Sequence, residues 1–161
     1  MNRSVALALA VVGAVGAVAA IFLLPWAHYG QFEVALLRFP LWGLYVAAAA
    51  ALNMAAALNA TVGHMLLNSG ARRWLRISGV GLGAVAAGAA VLVMTYYQDG
   101  TTLIGPAVPL VFPTLGLGGP VALIAALCST AATIAAPRRS TRAPAVAPGR
   151  ARRTVHEALE Q

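Results

Sequence analysis

The sequence predicts an all-α fold: an integral membrane four-helix bundle with both termini cytoplasmic and a disordered basic C-terminal tail. Three observations predict it. Of the 161 residues, 60% are hydrophobic and only 9% charged, and the mean hydropathy is +0.80, whereas soluble domains are about 45–50% apolar and about 25% charged. The apolar residues collect in four long runs without charge. The charge lies between and after those runs: the net value is +7, all 11 basic residues are arginine, and most of them sit at Arg72, Arg73 and Arg76 or from Arg138 onward. A clustered basic face is the footprint of a phosphate binder, but no folded polar domain is available to present one, so nucleic acid is excluded as a partner.

A helix crossing about 30 Å of hydrocarbon needs about 20 apolar residues, and helix is the open-chain structure that satisfies its own backbone there. The first run, residues 5–24, ends at Pro25, whose ring disfavours helix in the preceding residue. Arg3 before it also resembles the n-region of a signal peptide, but the apolar stretch exceeds the usual core of such signals and has no clear cleavage motif. The second run, 41–67, follows Phe39-Pro40 and is long enough to tilt or to extend into the interface. The third is 77–97. The fourth, 116–136, is the shortest in apolar core, since Pro120 and Pro137 bracket only 16 residues; it starts before Pro120 or uses that proline in its first turn, where a missing N–H costs nothing. Residues 1–136 are therefore expected to form the transmembrane domain, and 137–161 an Arg-rich tail whose composition does not bury enough surface to fold alone.

Short cytoplasmic loops are enriched in Lys and Arg. With four spans, Arg3, the Arg72–Arg76 segment and the tail fall on one side, and Arg38, Glu33 and Asp99 on the other. This predicts a multi-pass plasma-membrane protein with cytoplasmic ends. Trp26, Tyr29, Trp42, Tyr45, Tyr96 and Tyr97 cluster near the outer ends of the spans and Trp74 near the inner one, as interfacial belts do. Arg138, Arg139 and Arg142 are expected to hold anionic lipid headgroups.

Two outer segments are too apolar for free loops. Residues 26–40 should lie along the interface or fold over the bundle. Residues 98–119, rich in proline and glycine, read first as an ordered surface loop and second as a re-entrant excursion, which is tolerated where protein shields the backbone. Trp26, His28, Tyr29, Glu33, Arg38 and Asp99 are the candidates for an outer binding face.

Within the second span, Asn53, Thr61, His64 and Asn68 fall on one helical arc, while Asn59 points elsewhere. Polar groups at this depth either tie helices together or line a path for a solute. Gly79 and Gly83 form a small-residue seam on the third span, and Gly13 with Ala17 a shorter one on the first; packing within the chain is the first expectation and association between copies the second. His64 has no partner histidine at its depth for haem, and no cluster of three His, Cys, Asp or Glu can be read for zinc. Cys128 is the single cysteine. No catalytic residue, metal or cofactor is expected.

The layout resembles that of small four-span membrane proteins of high-GC Gram-positive bacteria, among them the tryptophan-associated transmembrane family. The resemblance rests on Leu24-Pro25-Trp26 closing the first span, the arginines before a Gly/Ala-rich third span, Gly116 to Gly119 opening the fourth, and Pro137-Arg138-Arg139 after it. It covers residues 5–139 and implies topology and localisation; that family has no established catalytic residues to carry over. The function expected is non-enzymatic: an accessory or scaffold subunit of a membrane complex, with anionic lipid and another membrane protein, or a second copy, as partners. The alternative is a small oligomeric channel, holin-like pore or carrier lined by the polar stripe of the second span.

Overall fold

In the computed structural model of the chain, residues 3–61, 69–98, 103 and 112–135 are described. Four helices dominate: α1 (Arg3–Phe22), α2 (Trp42–Thr61), α3 (Ser69–Thr95) and α4 (Gly118–Ile134). The segments Ser4–Phe22, Trp42–Thr61 and Arg73–Gln98 are long and apolar enough to cross a membrane, whereas α4 is a shorter apolar helix of 17 residues. Pro120 lies in its first turn, as its missing N–H permits.

The fold is not purely helical. Residues 25–40 form a hairpin of β1 (Pro25–Tyr29) and β2 (Phe32–Ala35) followed by a 3-10 turn, Leu36–Arg38. A short strand β3 (Thr114–Leu115) joins on the other side, giving the antiparallel order β2-β1-β3. The segment expected to lie along the interface or fold over the bundle forms a sheet whose buried residues pack against the helices. Its residues favour that outcome: Trp26, Tyr29, Phe32 and Val34 are β-formers, and Gly30, at φ 62, supplies the positive φ that the first position of a tight II′ hairpin requires. From 98–119, the described strand β3 takes the chain into this sheet. Whether the remainder is re-entrant concerns residues 99–102 and 104–111, which lie outside the described residues, as does the tail from residue 136.

The helix bounds also differ from those expected. Helix α3 begins at Ser69, so Arg72, Arg73 and Arg76 occupy its first turns and not a loop. Arginine is a good helix former, and a helix does not have to end where the apolar run ends.

Helix α4 packs against all three of the others. Small residues make this possible. Gly13 and Gly16 of α1 let its backbone approach Ala125 and Ser129, and a Cβ at Gly16 would lie 3.1 Å from that of Ala125. Gly79 and Gly83 of α3 face Thr133 and Thr130, so the seam read on the third span joins two helices of one chain. The apolar side chains that remain, such as Val11, Val12, Val15, Met54, Ile124 and Leu127, are exposed on the outside of the bundle.

Candidate functional site

Two regions of the bundle carry polar or aromatic chemistry. One is the sheet with the helix ends beneath it. Its centre is Trp26, a residue bulged out of the β1–β2 register, which turns the indole inward onto the bundle. The ring is fully buried, 6.2 Å from Phe39 and 5.5 Å from Tyr45 between centroids, at tilted and edge-on angles of 55° and 65°, the geometry aromatic pairs prefer. Its Nε1–H donates to the Ala20 carbonyl at 2.6 Å, one of the last-turn carbonyls of α1 that lack a helical partner. On the backbone, Gly116 N–H donates to the Trp26 carbonyl at 3.0 Å. At Gly118 a Cβ would run into the indole, so glycine is the residue that fits there. The Tyr29 hydroxyl donates to the Tyr97 carbonyl, joining the sheet to the end of α3. These contacts join the sheet to the helices.

Trp26 and Tyr29, expected on an outer binding face, therefore lie inside the protein at 0% and 1% exposure. They are among the largest fully buried side chains of the described residues and cement the sheet to the bundle. His28 faces Glu33 across one register pair and Thr114 across the other, on the side of the sheet turned away from the bundle; Glu33 and Arg38 are exposed. Asp99 lies outside the described residues. Phe32, which shares a face with buried Val34, and Leu37, in the 3-10 turn, are nevertheless exposed at 58% and 49%, as are Leu115 of β3 and Leu117 and Phe112 on either side of it.

The second region is a polar layer near the opposite end. Asn59 is buried and donates from Nδ2 to the carbonyls of Ala132 (2.9 Å) and Thr133 (3.0 Å). Both carbonyls belong to the last turn of α4, where helical partners are missing; the amide thus caps α4 from a neighbouring helix. Nearby, the Ser129 hydroxyl donates to Asn53 Oδ1 at 2.7 Å while Asn53 Nδ2 donates to its own helix at Ala49 (2.8 Å). Thr130 and Thr133 donate back to Ala126 and Thr130 carbonyls.

The polar stripe read on the second span is divided by this arrangement. Asn53 faces α4, but Thr61 is exposed and donates to the Ala57 carbonyl at 2.7 Å. His64 and Asn68 lie outside the described residues, as do Arg138, Arg139 and Arg142. Asn59, set apart from the stripe, is the polar residue that α2 buries. The signal for it was present: Tyr45, Ala48, Ala49, Leu52, Ala56 and Asn59 recur at the three- and four-residue spacing of an inward face, and Asn59 is the amide within that apolar series.

A cavity of about 200 Å³ lies between α1 and α2, lined by Ala14, Ala17, Val18, Ile21, Val46, Ala49, Ala50 and Asn53. Its wall is apolar apart from Asn53, so it offers little to orient a polar cofactor. Among the described residues no three His, Cys, Asp or Glu side chains gather as metal ligands. Comparison with protein families, curated proteins and solved structures finds no match to this chain.

Proposed function

We propose that the chain is a non-enzymatic multi-pass membrane protein, an accessory or scaffold subunit that presents its sheet to another membrane protein on the outer side of the plasma membrane. The observation that carries this reading is the pairing of buried aromatic anchors beneath the sheet with apolar side chains left exposed at its edge. Trp26, Tyr29, Phe39 and Tyr45 fix the sheet from below; Phe32, on the edge strand β2, and Leu37, in the turn that follows it, remain exposed at the sheet's margin. A pre-organised surface loses little entropy when a partner docks. The three apolar helices support the membrane location, and the arginine distribution supports cytoplasmic termini. The layout shared with small four-span proteins of high-GC Gram-positive bacteria is in keeping with both.

The test is site-specific photo-crosslinking in intact cells. A photoreactive residue at position 32 should yield one discrete protein adduct, and the same group at Val12, on the outside of α1, should yield none. Adducts equal at both positions, or none at either, would remove the scaffold reading. Protease added outside intact cells should leave a tag fused after Gln161 uncut; cleavage there would reverse the topology.

The oligomeric channel or carrier reading draws on Asn53 at the wall of the α1–α2 cavity. It predicts solute flux in proteoliposomes that falls with Asn53→Leu, and background flux at every protein density would remove it.

A further inference from the structure

Helix α3 extends beyond the described parts of its neighbours. Its contacts set a common level near one end of the bundle, where Gly79 meets Thr133 of α4 and Asn59 of α2 bonds the carbonyls of Ala132 and Thr133. Ser69–Ser78 continues beyond that level, an overhang of roughly 15 Å at 1.5 Å per residue, whereas the described part of α4 stops at once and α2 is described only to Thr61. By the same rise, the level of Trp42 on α2 and that of Trp74 on α3 are roughly 33 Å apart along the bundle, close to the thickness of a hydrocarbon core. These two tryptophans are exposed, at 42% and 72%, while Trp26 is buried. Exposed tryptophans at that separation mark the two interfaces of a bilayer.

The overhang therefore emerges from hydrocarbon at Trp74, and there it carries Arg73 and Arg76. Both are exposed, and their three-residue spacing makes them neighbours on the helix surface. Among the described residues the single carboxylate is Glu33, in the sheet at the opposite end of the bundle. The guanidinium pair has no protein counter-charge in the described structure, and guanidinium matches phosphate in geometry as well as charge.

We propose that the overhanging start of α3 is a headgroup site for anionic phospholipid, with Arg73 and Arg76 taking the phosphates and Trp74 seating the helix at the carbonyl level of the leaflet. This rests on the membrane reading above and goes beyond it by assigning a lipid class to named residues. The site selects on headgroup charge, so it distinguishes phosphatidylglycerol from phosphatidylcholine at one end of the bundle only.

The test uses the full chain carrying Trp42→Phe, reconstituted in vesicles of phosphatidylglycerol and phosphatidylcholine in which one or the other bears bromines near the carbonyl end of its acyl chains. Bromine quenches tryptophan at contact, so the emission reports the lipid beside Trp74, with buried Trp26 as a constant background. The expected result is a preference for phosphatidylglycerol of about fivefold per arginine engaged. It should collapse toward one in Arg73→Ala/Arg76→Ala, persist in Arg73→Lys/Arg76→Lys, and fall at high salt, where screening shortens to a few ångströms. Equal quenching by both brominated lipids would overturn the proposal and leave the membrane reading intact. Quenching by neither would overturn the membrane reading itself. If the alanine pair does not reconstitute, the salt titration and the lysine pair decide: a preference indifferent to salt overturns the proposal.

Discussion

Replacing Asn59 by leucine tests what the polar layer contributes, because the two side chains share the same branched skeleton of heavy atoms and the change removes the hydrogen bonds. Asn59 makes two, to Ala132 and Thr133 at 2.9 and 3.0 Å. Interhelical bonds of this kind are worth about 0.6–2 kcal/mol each. Their loss also strands two carbonyls at the end of α4 in an apolar setting, and a buried group left unsatisfied costs about 1–3 kcal/mol. Leucine recovers part of this through its own apolar burial, so Asn59→Leu should destabilise the bundle by about 2–3 kcal/mol. Asn53→Leu gives up one bond from Ser129 and should cost about 1 kcal/mol. The measurement is unfolding in mixed micelles by titration with a denaturing detergent, followed by helical circular dichroism. An Asn59→Leu value within about 0.5 kcal/mol of the parent, the scatter of surface substitutions, would refute the reasoning that α4 depends on a cap lent by α2.

Three further outcomes can be checked in the same system. Trp26→Ala empties a fully buried site and should cost about 3–5 kcal/mol, with residues 25–40 becoming susceptible to protease; Trp26→Phe, which keeps the ring but loses the bond to Ala20, should cost far less. Gly79→Ala brings a methyl within 2.6 Å of the Thr133 Cβ whereas at Gly81 nothing lies within 4 Å, so the first should destabilise by about 1–3 kcal/mol and the second should stabilise by up to about 1 kcal/mol through helix propensity; the reverse order would dismiss the α3–α4 seam. Leu41, before α2, holds φ 64, a left-handed conformation that costs a non-glycine residue about 1–2 kcal/mol. Leu41→Gly should therefore raise the unfolding midpoint despite the added chain flexibility.

The aromatic residues show how far residue type alone can carry a reading. Trp26, Trp42 and Trp74 all lie near the ends of apolar runs and read alike as interfacial anchors. Trp42 and Trp74 are exposed, while Trp26 is wholly enclosed. The difference comes from a bulge in a hairpin, which decides which side of the sheet the indole faces, and a bulge is a property of strand pairing that a linear pattern does not carry. The hairpin itself had local signals in its β-forming residues and Gly30, but they were outweighed by the apolar composition around them.

The number, approximate position and apolar character of the helices follow from the sequence by itself, because the length of hydrocarbon a helix must match and the absence of charge are properties of one segment at a time. The glycine seam on α3 was visible for the same reason. Which partner that seam meets, which asparagine turns inward, and how Ser129, Thr130 and Thr133 close the layer were decided by the tertiary structure. Those outcomes depend on the rotation and axial offset of one helix against another, and these are set jointly by the small residues of all four helices and by the sheet that clamps their ends.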